Sequence, residues 1–169
     1  MDTHGLLTLS QYNAYANGLV FDTIARLPPE ELQQEASPSH GSVVKLLLHM
    51  FAVELFFFTA CQNGEGTAGK PARPSTLADL RPAWADLETA RLSYLGSCTQ
   101  ADLARQHSIR LGGQMLHYTA AQMLMQSMLH STHHRGELSI VLTRLGHPLP
   151  TLDIILQFTQ QSGQVWPLK

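Results

Sequence analysis

The segment Met128-Leu-His-Ser-Thr-His-His-Arg-Gly-Glu137 concentrates the groups in this sequence that could do chemistry. His130 and His134 stand four residues apart, so on a helix their imidazoles lie one turn apart on the same face. Helices offer two imidazoles to one metal ion by this spacing, as in H-E-x-x-H. Here Ser131, Thr132 and His133 intervene, and the position of that motif's glutamate base holds none. A catalytic zinc-type site takes three protein ligands and leaves a position open. His49 is the candidate third, because it sits inside the most apolar stretch of the chain, Leu46–Cys61. A histidine there needs a hydrogen-bond partner or a metal. Alone, His49 is equally a hydrogen-bonded core histidine, and a lone His-x-x-x-His pair is equally a pair of surface residues. Together, three buried imidazoles are hard to satisfy without an ion.

The remaining candidates have two readings each. Glu137 follows His134 by one helical turn, and is either an acceptor or general base behind that ligand, or a solvated carboxylate paired with Arg110 or Arg144. Arg135 should point sideways, toward another helix or a partner subunit. Gly136 inside a helix costs up to about 1 kcal/mol against alanine, which a close helix approach would explain. Tyr12 and Tyr15 are expected either at the mouth of a substrate pocket or in ordinary packing. His133 points about 100° away from its neighbours. His4 and His40 fall in an end and a loop, and His107, His117 and His147 at segment edges, where a surface role is expected. The methionines of Met123–Met128 read as core filler.

Four long helical segments must position these groups. Apolar periodicity and breakers place them at about Leu6–Leu27, Ser42–Gln62, Thr76 or Arg81 to Gly96, and Thr119–Leu145. Pro28-Pro29 ends the first, Ser42 caps the second, and Thr76 with Asp79 resembles a capping box at the third. Gly146 closes the fourth, followed by Pro148 and Pro150. Asn63–Pro74 is the clearest loop. Around Gly112-Gly113 the alternation of His107–Tyr118 suggests two short strands. A short last helix is expected over Thr151–Gln161. The whole predicts an all-α four-helix bundle forming one domain over residues 1–169.

Composition narrows the function. The 169 residues are 44% hydrophobic and 14% charged, which argues against disorder. Eleven Lys and Arg against 13 Asp and Glu give a net charge of −2, and no basic run marks a nucleic-acid surface. Cys61 and Cys98 support neither a disulfide framework nor a thiolate cluster, and suggest a reducing cytoplasm. Leu46–Cys61, broken by His49, Glu54 and Thr59, reads as too short and too polar to span a membrane. The outlying count is histidine, at nine.

These residues also resemble a family. His130-x-x-x-His134-Arg-Gly-Glu, followed by Ile140-Val-Leu-Thr-Arg-Leu-Gly-His-Pro148, is similar to the DinB-like (DinB/YfiT) pattern of His-x-x-x-His-Arg-Gly-Gln and a Leu-rich turn. Tyr12-Asn-Ala-Tyr-Ala-Asn17 resembles the family's first-helix Tyr-Asn-x-Trp-x-Asn, and Leu46-Leu-Leu-His-Met50 its second-helix histidine. The resemblance implies an up-down-down-up four-helix bundle, often a homodimer. It implies a divalent metal, Zn or Ni, on His49, His130 and His134. It also implies a small-molecule substrate, since characterised relatives include S-transferases and isomerases that use low-molecular-weight thiols. Glu137 in place of Gln, Tyr15 in place of Trp and the run Phe56-Phe57-Phe58 depart from the pattern. The expected function is a metal-dependent thiol S-transferase; the rivals are a non-catalytic metal-binding stress protein and a metal-dependent hydrolase.

Overall fold

The computed structural model describes residues 1–63 and 74–167, so most of the loop read over Asn63–Pro74 lies outside the described residues. In chain order the elements are α1 (Thr3–Ile24), α2 (Pro29–Gln33), α3 (Val43–Asn63), α4 (Leu77–Ser97), α5 (Gln100–Ala104), β1 (Gln106–Leu111), β2 (Gln114–Thr119), α6 (Ala120–Arg144) and α7 (Ile154–Gln161). Side-chain caps fix several of the starts. Asp2 accepts from the Gly5 amide, Ser42 from Lys45, and Thr76 from Asp79. Thr119 and Gln122 cap each other reciprocally at the head of α6. Gly146, at φ 84°, closes the far end in the left-handed region glycine enters without strain.

The helix directions follow from who meets whom. Arg91 reaches Ser10 while Arg81 reaches Asp22, so α1 and α4 run antiparallel. Phe51 packs on Trp84 and Phe58 on Tyr94, so α3 and α4 run parallel. His49 meets His130, and Cys61 lies at the Ala120 carbonyl, so α3 and α6 run antiparallel. It follows that α1 and α6 are parallel, and the bundle is up-down-down-up. Its core is continuous through Leu6, Val20, Leu46, Met50, Leu80, Trp84, Leu124 and Leu138, each at most 1% exposed. Each such side chain contributes about 1.5–3 kcal/mol by leaving water.

Three local readings need correction. The short helices α2 and α5 were not expected; five residues carry no periodicity, and the Thr99–Asp102 capping box at α5 was the available signal. Helix α4 starts after its cap Thr76 and runs on through Pro82, so the alternative start at Arg81 does not hold. His107 is 5% exposed rather than a surface residue, because β1 alternates and turns His107 and Ile109 inward. The strands themselves pair as an antiparallel hairpin, with Gly112 and Gly113 both at positive φ, as a two-residue turn of this kind requires. Helix α3, from Val43 to Asn63, is long and apolar enough by length and composition to cross a membrane. Here Leu46, Leu47, Met50 and Phe58 face the bundle core instead.

Candidate metal centre

The antiparallel pair α3 and α6 brings His49 opposite His130 and His134. The Nε2 atoms of His49 and His130 lie 3.1 Å apart. Two nitrogens on one ion at about 2.1 Å each, at angles between octahedral and tetrahedral, separate by about 3.0–3.4 Å. The His134 ring is 5.0 Å from that of His49 and 4.5 Å from that of His130, centroid to centroid. His130 Nδ1 is buried with no hydrogen-bond partner among the described residues, and an ion on Nε2 would leave it so. The donor chemistry suits a divalent metal, but the three ligand atoms that converge within 4.8 Å of one another are those of His40, His49 and His134, and His130 joins them through its Nε2 contact with His49.

A fourth histidine enters from outside the helices. His40 stacks on His49 at 3.9 Å between ring centroids and 28° between planes. Ligand atoms of His40, His49 and His134 all lie within 4.8 Å of one another. Sequence reading had consigned His40 to a surface loop, since a loop residue belongs to no periodic face. The loop is held in place. Ala36 and Ser37 amides donate to the Gly41 carbonyl, and the Gly41 amide donates back to Ser37. Gly41 sits at φ 83°, a conformation L side chains rarely adopt, so the turn favours glycine.

Glu137 ties this loop to α6. Its Oε1 accepts from the Ser37 hydroxyl at 2.6 Å and the Ser39 amide at 3.1 Å. Its Oε2 faces the Ser39 hydroxyl at 2.6 Å and His134 Nδ1 at 3.2 Å. Burial would raise its pKa, but the Ser37 and Ser39 hydrogen bonds outweigh that and hold it down at about 2. Four partners occupy the carboxylate, so it orients groups around it; Arg110 and Arg144 are not among them. A carboxylate accepts only, so His134 carries its proton on Nδ1 and presents a lone pair on Nε2. Burial and the neighbouring imidazoles lower His49 and His130 to about 4. Burial lowers His134 as well, against the opposing pull of Glu137. All three are neutral near pH 7, as metal ligands must be.

The face of α3 that carries His49 forms the wall of a groove. Ala52, Val53, Phe56 and Phe57 line it with Leu111 of the hairpin and Gln126 of α6, enclosing about 350 Å³ beside His49 and His130. Tyr12 lies elsewhere, between α1, α6 and Leu149–Asp153. It donates to the Leu152 carbonyl, and the Arg135 guanidinium sits 5.7 Å from its ring. Tyr15 is partly buried and makes no side-chain hydrogen bond among the described residues. Open space surrounds Gly136, so no close helix approach explains it. His133 is exposed.

Directly beneath the imidazoles lies a buried ionic network that the sequence reading missed. Glu54 of α3 is fully buried and pairs with Arg91 of α4 at 2.6 Å. Asn13, Trp84 and Ser131 complete its shell of donors. Burial alone would raise the Glu54 pKa; the Arg91 charge and these hydrogen bonds bring it below the ordinary value. Arg135, 2% exposed, reaches Asn13 and Asn17 of α1 at 2.8 Å. Its sideways direction from the ligand helix is thus toward α1. The hints in the sequence were Glu54 inside the apolar stretch of α3 and two asparagines four apart on α1.

An up-down-down-up bundle with imidazoles clustered across its second and last long helices defines the class of this protein. The sequence matches the DinB family over residues 1–164, and the chain belongs to that family. A DinB-like protein from Bacillus subtilis shares the fold at a TM-score of 0.64 and 17% identity, covering 86% of this chain and 96% of that one. Another from Bacillus cereus aligns at a TM-score of 0.61 and 20% identity, covering 85% and 94%. No curated protein matches the sequence.

Proposed function

We propose that this chain is a divalent-metal-dependent enzyme that transfers a small thiol onto an electrophile, with Zn²⁺ or Ni²⁺ held by His49, His130 and His134. The observation that carries the reading is the 3.1 Å approach of two imidazole Nε2 atoms at the edge of an apolar groove. A divalent metal supplies positive charge that acidifies a thiol or water placed on it. The chain's residues supply the rest. Glu137 fixes the His134 tautomer, and the groove walls Val53, Phe56, Phe57 and Leu111 favour the apolar part of a substrate while excluding water from it. Gln126 is the polar group placed to orient that substrate. The non-catalytic reading, in which a metal only ties helices together, draws support from His40, since a further imidazole fills a position a substrate would need. A second copy of the chain is a proposed partner, and exposed Leu129 and Ile140 on one stripe of α6 suit such a contact.

The test is metal content of tag-free protein, wild type beside His130→Ala/His134→Ala. About one ion per chain in the wild type, absent from a folded variant, supports the site. A screen of low-molecular-weight thiols with apolar electrophiles then tests transfer. Absence of metal after supply of zinc or nickel overturns the reading.

A further inference from the structure

We propose that His40, from the loop between α2 and α3, is an additional metal ligand of this chain, presented through Nε2 by a relay from Glu137 through Ser39. This rests on the reading of the cluster as a metal centre and adds to it a ligand from outside the helical pair; substrate then needs an ion that expands to five coordination positions.

The argument is one of proton accounting. Ser39 Oγ lies 2.6 Å from Glu137 Oε2 and 2.6 Å from His40 Nδ1. A hydroxyl has one proton, and a carboxylate has none to give. The Ser39 proton therefore goes to Glu137, and Ser39 Oγ must accept from His40. His40 then carries its proton on Nδ1 and its lone pair on Nε2. Glu137 sets His134 the same way, by direct acceptance from Nδ1 at 3.2 Å. One carboxylate thus prepares two imidazoles, on two different elements, as lone-pair donors.

His40 lies within reach of the role, although its ring now stacks on that of His49 at 3.9 Å and must turn for both to meet one ion. Its ligand atom falls within 4.8 Å of those of both His49 and His134, and its ring is 5.3 Å from that of His134. The loop is not free to carry it elsewhere: Ser37 and Ser39 both bond to Glu137, and the Ser37 hydroxyl also accepts from the His40 amide at 3.2 Å. A solvated loop histidine has no need of this scaffolding. By contrast, His133 sits next to His134 in sequence, is exposed, and has no carboxylate partner among the described residues.

The experiment loads metal-free wild type, His40→Ala, Ser39→Ala and His133→Ala with Co²⁺ and with Zn²⁺. It reads affinity against a competing chelator, the visible d–d spectrum of the Co²⁺ form, and the imidazole count by X-ray absorption. Circular dichroism confirms that each variant is folded. The proposal expects His40→Ala to lose one imidazole from the count and change the Co²⁺ spectrum. It expects Ser39→Ala to weaken affinity by about 10–100-fold, as loss of an orienting partner does. His133→Ala should match wild type. An unchanged spectrum and affinity in His40→Ala overturns the proposal and leaves the three-helix-borne-histidine site standing. Failure of wild type to bind either ion overturns both.

Discussion

Ser131 and His130 are neighbours on α6, yet they serve polar sites of opposite kinds. Ser131 belongs to the network of Glu54, Arg91, Asn13 and Trp84, in which a buried carboxylate is ringed by donors and a full opposite charge. His130 belongs to a cluster of imidazoles facing each other, with its Nε2 3.1 Å from that of His49. The first site closes its carboxylate with protein groups alone, though Arg91 Nη2 is left without a partner among the described residues. The second gathers imidazole nitrogens at a spacing that suits one ion. The difference teaches where a ligand is wanted. A buried polar group with its partners fixes the fold, whereas converging imidazole nitrogens suit a cation.

The comparison is broken most severely by removing the carboxylate of the first site. Glu54→Gln should destabilise the fold by about 3–5 kcal/mol in chemical denaturation, because Arg91 is left buried and unpaired. A loss well under about 1 kcal/mol would mean the network is less tightly closed than its geometry indicates. In the second site, His130→Ala/His134→Ala should cost the metal-free protein less than Glu54→Gln does. The same variant should abolish the rise in Tm that metal gives the wild type, a gain of about 2.7 kcal/mol at a hundredfold excess over Kd. A metal-dependent Tm rise that survives in the variant would place the ion elsewhere.

Glu137→Gln tests the carboxylate that links the two parts of the histidine cluster. Metal affinity should fall by about 10–100-fold in chelator competition, while the helical signal is retained. Acid separates the two regions by pH. His49 and His130 have folded-state pKa values lowered to about 4 from an ordinary 6.5, so the unfolded chain takes up protons that the folded chain refuses. The Tm of metal-free protein should therefore fall as pH drops from 6.5 toward 4. Glu137, lowered to about 2 from 4.5, contributes stability above pH 4.5 that is lost as pH falls toward 2. Thermal melts across this range should show the upper part of the decline flattened in a His49→Ala/His130→Ala variant. The smallest expected effect is Tyr12→Phe, which removes only the bond to the Leu152 carbonyl. It should cost about 0.5–1.5 kcal/mol and leave metal affinity unchanged.

The bundle was legible because each long helix carries its own signals: apolar periodicity, Ser42, Thr76 and Thr119 at the starts, Gly146 at an end. The glycine pair announced the hairpin by the backbone angles it permits. His130 and His134 were legible as a pair because one helical turn relates them, and His49 because an apolar helix gave it no partner of its own. His40 and the Glu54 network were not legible. Their members come from separate elements, with Ser37 and Glu137 a hundred residues apart in sequence, and no local period relates such groups.

What the sequence determined alone, then, are the local properties: which segments are helical, where they stop, and which imidazoles share a helical face. These depend on interactions within a few residues. Only the tertiary structure decided that α3 and α6 run antiparallel at the depth that sets His49 on His130. It also decided that Tyr12 faces the Leu149–Asp153 segment, and that a glycine-dependent loop lays His40 over the cluster under the hold of Glu137. Those outcomes depend on the register in which whole helices bury their apolar faces. That register is a property of the packed core and of no single segment within it.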